Sequence, residues 1–565
     1  MISVPALTGV HESLKELPLR DRPQLRCKRL DVLRGLFAAQ RTGKTLEIDE
    51  DAGPLADIDK TNSGVIVVED DDVGSVVAVN YASSLGANLL VVPNAGKLEV
   101  AAIHRSLHEW KTNGDDSHRR TVENAVNKRI TGTSFRDFEY ATFFTNGLPY
   151  SFVLEKVIPC SYVHLSIRPD LFVFNCLAFE RVETFHSAVV FSPLFFADEE
   201  TNWLVEFFKD NNYYLRQLIG QDASFANLDF TLQHFPYSLL HICSHGGEVD
   251  GWEVSEEFVD RNGETHVIEY DEVVGCDLIA DKDGRVQVHR KAIFRKLDGL
   301  LWMSEELDKK KIPEYVFLDM WKALYQDQRT KFNPNAKRKK KGQIATSCAI
   351  RCSDTIHQGE LQVLASHSSP LVFNNTCWSW YEVASLFLSC GSRGYVGTLW
   401  AIDNEGAIVG ARTFYDNVFS GTVLSAFHQA VRAIDNTQSK NIYVFWGLHF
   451  STLSQARNAQ ESRGEVFAEL ARSFAGWREH INGSKSAEGK RNAARVLASV
   501  IRELKTNFSA EDFRTFQLER WARITGTFRG DAPAETKREV PIAARRSLDD
   551  VTEYKKPTEQ AAGPT

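Results

Sequence analysis

Short apolar runs, each stopped by a polar or glycine-rich turn, recur through most of this chain, and longer segments between them return apolar residues every three or four positions. The short runs read as buried strands and the periodic segments as helices. The pattern sharpens at Gly64, where G-V-I-V-V-E-D-D-D (64–72), V-G-S-V-V-A-V-N-Y-A-S-S-L-G-A (73–87) and N-L-L-V-V-P (88–93) spell strand, helix, strand. Y-V-H-L-S-I (162–167) and L-F-V-F-N-C-L-A-F (171–179) continue as strand-like runs. After Gly447 the chain turns polar, and V-F-A-E-L-A-R-S-F-A-G-W-R (466–478) and N-A-A-R-V-L-A-S-V-I-R-E-L (492–504) are predicted helices that each bury one stripe.

Two of the apolar runs end in chemistry. L-L-H-I-C-S-H-G-G-E (239–248) closes on His245, and P-L-V-F-N-N-T-C-W-S-W (370–380) closes on Cys377. A strand that stops at a polar residue presents it at the carboxyl edge of an α/β sheet, where such folds place reacting groups. A thiol is mostly protonated at neutral pH, and a neighbouring imidazole activates it. His245 and Cys377 therefore read as base and nucleophile. Gly246 and Gly247 predict a bare turn whose Gly246 amide, with that of Cys377 at the start of the following helix, can hold an oxyanion. Asn375 shares a strand face with Cys377 and either orients the thiol or satisfies a backbone group. His241, Cys243 and His245 alternate onto one face, a zinc-like set that would quench the proposed base.

The segment from about Phe185 to Gly447 resembles the caspase-like CHAT peptidases, relatives of separase, caspases, gingipains and clostripain. H-S-A-V-V-F-S-P-L (186–194), A-D-E-E-T-N-W-L-V-E-F-F-K (197–209) and Y-Y-L-R-Q-L-I-G (213–220) are similar to the family's first strand, helix and second strand. The histidine and cysteine strands follow in order. S-C-G-S-R-G-Y-V-G-T-L-W-A-I-D-N-E-G-A (389–407), F-Y-D-N-V-F-S-G-T-V-L-S-A-F-H-Q-A-V (414–431) and I-Y-V-F-W-G (442–447) resemble the later strand, paired helices and last strand. The resemblance implies a mostly parallel α/β sheet flanked by helices, a cysteine endopeptidase with a Cys377–His245 dyad, no cofactor and no metal. It also implies protein substrates, an activating or regulatory protein partner, and a place in multicomponent or antiviral defence systems. Relatives of the separase kind receive a basic P1 side chain on an acidic residue after the L-W pair. Here Asn404 holds that position, flanked by Asp403 and Glu405, which serve either as the acidic receptor or as helix-capping charges. The dyad residues are 132 positions apart (377 − 245), so an insertion fills 252–367. Trp378 and Trp380 after the cysteine form an aromatic wall or pack inward. A catalytically inactive caspase-like adaptor is the rival from another class.

Composition frames this picture. The chain has 565 residues, 43% of them hydrophobic, and a net charge of −9. That is enough for several domains and weighs against bulk nucleic-acid binding. Nine scattered cysteines without a C-x-x-C pair fit a reducing compartment, and no run long enough to span a bilayer is visible, so the expected location is cytoplasmic. The expected organisation is an arm (1–60), an N-terminal α/β domain (61–180), the peptidase domain (181–450), a helical extension (451–530) and a disordered tail (531–565). A-A-Q-R-T-G-K-T (38–45) matches a relaxed phosphate loop on Gly43 and Lys44, but a helical pattern precedes it where that motif needs a strand. Glu69, Asp70, Asp71 and Asp72 at a strand end either hold a cation or cap the next helix from a solvated turn. In the insertion, E-T-H-V-I-E-Y (264–270) and R-V-Q-V-H-R (285–290) predict a hairpin pair and E-Y-V-F-L-D-M-W-K-A-L (314–324) a helix. The run K-F-N-P-N-A-K-R-K-K-K-G-Q (331–343) reads as an exposed flexible loop. Its basic stretch 337–341 is the one place where nucleic acid or an acidic partner would bind.

Overall fold

The computed structural model describes residues 22–516, apart from 57–60, 71–72, 182–184, 194–199, 279–285, 303, 326–335, 358–360, 362 and 436–438. Positions 1–21 of the expected arm, Asp71 and Asp72 of the acidic run, the start of the predicted helix at 197–199 and the expected tail thus lie outside the described residues. A ten-stranded sheet forms the frame. From one edge to the other its strands begin at Asn88, Val65, Ala141, Cys160, Tyr443, Gly394, Leu371, Leu239, Ser187 and Tyr214. Neighbours are parallel except Gly394–Thr398 against Tyr443–Trp446. The four strands of the 61–180 segment pair through Tyr162 and Trp446 with those of the 181–450 segment. Because of the one antiparallel step, these four run opposite to the histidine and cysteine strands and leave the sheet at the other end.

The buried strands are apolar on both faces, as a sheet covered on both sides requires. Val65–Val68, Ala188–Val190, and Val372 and Phe373 are all essentially inaccessible. Two long helices, Ala459–Gly483 and Ala487–Asn507, bury Phe467, Leu470, Val500 and Leu504. Arg216 on the edge strand Tyr214–Ile219 pairs with Glu503 of the second helix. The predicted helical extension therefore packs on the last strand of the sheet.

Three expectations are corrected, and the phosphate-loop match is set aside for the reason its preceding helical pattern gave. The run 171–179 is part of a helix, Pro169–Arg181, not a strand. Phe172, Val173 and Cys176 are buried while Leu171, Phe174 and Leu177 are exposed, a helical spacing hidden by the all-apolar composition. Proline at its first position is the start signal. Lys337–Lys341 is no flexible loop but opens the strand Lys337–Arg351. Its charges are held across the sheet, Lys341 on Asp271 at 2.7 Å and Arg338 on Glu272. Glu69 is not in a solvated turn; it is buried and accepts hydrogen bonds from the Thr145 and Tyr150 hydroxyls and the Asn146 amide. Burial pushes its carboxyl above the ordinary range despite those donors. Finally, Gly43 ends a helix (Val32–Thr42) in the left-handed conformation and leads into a strand, Thr45–Ile48. This is the reverse of the order a phosphate loop requires.

The insertion is a six-stranded sheet, antiparallel throughout, built on the strands Gly246–Val259, Thr265–Leu278, Val286–Leu297 and Lys337–Arg351. It carries its own small core of Val254, Phe258, Ile268, Tyr270, Leu297, Val316 and Met320, the last two from the predicted helix Glu314–Tyr325. No helix among the described residues is long and apolar enough to cross a membrane.

Candidate active site

The strands Leu239–Ile242 and Leu371–Asn374 are immediate parallel neighbours, with Leu239 opposite Leu371 and Ile242 opposite Asn374. Their register offset, 371 − 239 = 132, equals the offset between Cys377 and His245. The last ladder bond runs from the Asn375 amide to the Ile242 carbonyl at 2.8 Å. Beyond it the two chains stay close, since a Cβ built on Gly246, next to His245, would lie 2.3 Å from that of Thr376, next to Cys377.

His245 is exposed beyond the carboxyl end of its strand and Cys377 is half-buried. Cys377 sits on a turn, not at a helix start: Trp378 adopts a left-handed φ of 56° and the helix begins at Glu382. A left-handed tryptophan costs about 1–3 kcal/mol, and a knot of hydrogen bonds holds it. The Trp378 amide donates to the Trp400 carbonyl at 3.3 Å, the Thr398 hydroxyl to the Thr376 carbonyl at 2.6 Å, and the Thr398 amide to the Ser379 hydroxyl at 3.0 Å. The G-T-L-W segment thus braces the cysteine turn from the next strand. Trp380 packs inward and Trp378 stays half-exposed against the His108 ring, 5.4 Å away between centroids.

The expected bare turn after His245 is instead a strand: Gly246 begins the long arm Gly246–Val259. The Arg351 amide donates to the His245 carbonyl at 3.0 Å, which makes Gly246 and Ile350 a non-hydrogen-bonded pair. The Gly246 N–H therefore points away from the returning strand. A Cβ on Gly246 would lie 2.3 Å from that of Thr376, the residue before the cysteine. Only glycine allows this approach. Gly246→Ala is expected to destabilise the fold by about 1–3 kcal/mol by overpacking, read as a lower urea midpoint at unchanged slope. A midpoint equal to that of the parent would refute the contact.

Arg351, which sequence reasoning missed, also acts on His245. Partial desolvation and the Arg351 guanidinium hold the His245 imidazole below its ordinary value of 6.5. That keeps the ring neutral, the form able to accept a proton.

Beneath the two strand tips lies a buried polar network, of which the sequence singled out His241, Cys243 and Asn375 but not Glu200, Tyr415 or Tyr443. Glu200, 4% exposed, accepts from His241 Nε2 at 2.8 Å, Asn375 Nδ2 at 2.7 Å and Cys243 Sγ at 3.2 Å. Tyr415 meets His241 Nδ1 at 3.1 Å, Asn375 Nδ2 also reaches the Ala407 carbonyl, and the Tyr443 hydroxyl donates to Asn375 Oδ1. Burial works against the Glu200 carboxylate, yet the donors from His241, Asn375 and Cys243 hold its pKa below the ordinary value. Burial first, and Glu200 next, push the Cys243 thiol far up, which leaves it inert. His241 and Cys243 thus face inward onto Glu200 while His245 stands at the exposed edge. Asn375 spends its amide on Glu200 and Ala407.

Asp403 caps the helix Asn404–Val418, accepting from the Gly406 amide at 2.7 Å and from the Ser439 hydroxyl. Asn404 and Glu405 are exposed on its first turn.

No protein-family model matches this sequence, and no curated protein does. Among solved structures, the crystal structure of the Arg specific cysteine proteinase gingipain R (RGPB) matches at 8% identity and a TM-score of 0.37, over 71% of this chain and 80% of that one.

Proposed function

We propose that this protein is a cysteine endopeptidase of the CHAT type, working on protein substrates through a Cys377–His245 dyad. The observation that carries the proposal is that the histidine and cysteine strands are adjacent and parallel, and that the residues flanking an exposed imidazole and a half-buried thiol, Gly246 and Thr376, approach closely beyond their ends. In this reading His245 takes the thiol proton, the Cys377 sulfur attacks a peptide carbonyl, and the amine leaves with a proton from the imidazolium. Water then releases the acyl group. The amides of Gly246 and Cys377 are the proposed oxyanion donors. Exposed Glu405 and Asn404, beyond Trp400, are the proposed receptors of a basic P1 side chain, Asp403 being committed to its cap. Control by a protein partner, in a defence setting, belongs to the same proposal.

Thiol labelling tests it. Of the seven cysteines whose side chains are described, five are buried and Cys377 and Cys390 are partly open. Burial raises the Cys390 pKa, so a peptidyl electrophile is expected to label the wild type and Cys390→Ala equally and to spare Cys377→Ala. Equal labelling of all three would refute the proposal. In a peptide-library digest, cleavage after acidic residues alone would discard the role given to Glu405.

A further inference from the structure

At the far end of the insertion, the hairpin joining Gly246–Val259 to Thr265–Leu278 carries Asp260, Glu264 and His266, with one ligand atom of each within 4.8 Å of the others. Acidic turns are common without metals. This one differs because two buried atoms, Asp260 Oδ2 and His266 Nε2, face one another 3.8 Å apart with no hydrogen-bond partner. The Asp260 side chain is fully buried and His266 is 9% exposed.

The surroundings fix the ring. His266 Nδ1 stands 2.9 Å from Asp298 Oδ2 and donates to that carboxylate. The other Asp298 oxygen accepts from the Val267 amide at 2.9 Å. Asp298 and Gly299 both adopt left-handed φ, 50° and 80°, in the turn that aims this carboxylate. With its proton on Nδ1, a neutral ring turns the Nε2 lone pair toward Asp260 Oδ2. Asp260 Oδ1 is meanwhile held by the Asn262 and Glu264 amides, each at 2.9 Å. The two atoms make an ion pair only when the ring is protonated, and otherwise turn two buried lone pairs toward one point. Their spacing is too long for a hydrogen bond but suits two ligands roughly 2.1 Å from a shared ion, which stand about 3.4–4 Å apart. A carboxylate on the far ring nitrogen is also how metal-bound imidazoles are oriented. Of the neighbouring cations, Arg261 is spent on Asp319 through two bonds of 2.8 Å, and Lys310 stands 3.7 Å from Asp298 Oδ2.

The geometry points to a divalent transition-metal site, of the zinc or manganese class, with Asp260, Glu264 and His266 as ligands and Asp298 orienting the imidazole. The strand from His245 to this tip has 14 residues, about 45 Å of extended chain. The metal therefore pins the hairpin tip, and the site stands independently of the peptidase proposal.

Titration calorimetry with Zn²⁺ alone, and separately with Mn²⁺ alone, tests it on full-length Cys377→Ala protein, which lacks the half-buried thiol as a competing ligand. One saturable equivalent of at least one ion is expected, with a raised unfolding temperature. His266→Ala and Asp260→Asn should abolish it, and Asp298→Asn should weaken it about 10–100-fold. Glu264→Gln, at an exposed position, should also weaken binding and stays informative if the buried variants fail to fold. No saturable equivalent of either ion, or an equivalent indifferent to Glu264→Gln, overturns the site.

Discussion

His245→Ala is expected to lower kcat/KM for peptide hydrolysis by about 10²–10⁴-fold, the usual contribution of a positioned general base, with little change in unfolding midpoint because the side chain is exposed. The substitution removes the proposed acceptor of the Cys377 proton. The same mechanism sets a pH signature. Only the neutral ring can take the proton, so kcat/KM should fall on the acid side of the depressed His245 pKa, at a pH below 6.5. Arg351→Gln removes the positive charge that helps to hold it down, and the acid limb should then move up toward 6.5. A limb that stays in place in Arg351→Gln would remove the arginine from the site. A His245→Ala enzyme of unchanged kcat/KM would remove the dyad.

Glu200→Ala is expected to be the most destabilising single change considered, about 3–5 kcal/mol, the cost of breaking a buried charged network by deleting one partner. Three buried donors, on His241, Asn375 and Cys243, would lose their acceptor at once. Glu200→Gln keeps the shape and one acceptor oxygen and should cost less. The pH dependence has a definite sign. The folded carboxyl lies below the ordinary 4.5, so its contribution is complete above that value and is lost as pH falls through the folded pKa. Urea unfolding of wild type and Glu200→Gln at several pH values checks both points. A gap between the two proteins that fails to shrink on acidification would show that Glu200 is not ionised in the fold.

The parts of the site legible in the sequence are those written locally. Leu239–Ile242 and Leu371–Asn374 announce themselves as apolar runs halted by polar residues, and the order of strands around them follows from the same signal. Of the two roles open to Asp403, the cap is the one legible locally, because capping is a matter of three residues. What escaped depends on partners far along the chain. The basic run at 337–341 looks self-repelling until Asp271 and Glu272 are set beside it. Glu200 looks like an ordinary charge at a helix start, since nothing local places His241 and Asn375 over it. Arg351 gives no signal, lying 106 positions from the histidine it acts on (351 − 245). In 171–179 every position suited burial, so periodicity could not separate helix from strand, and Pro169 was the cue to follow.

The long arm begins at the residue after His245 and its return strand ends at Arg351, hydrogen-bonded to that histidine. The excursion thus leaves and re-enters through a closed neck one residue from His245. Lengthening it adds little closure entropy, about 0.6 kcal/mol per doubling for a flexible segment, and need not widen the gap between the histidine and cysteine strands. The interval from His245 to Cys377 is therefore set by the outgrowth at this neck and says little about the sheet beneath it.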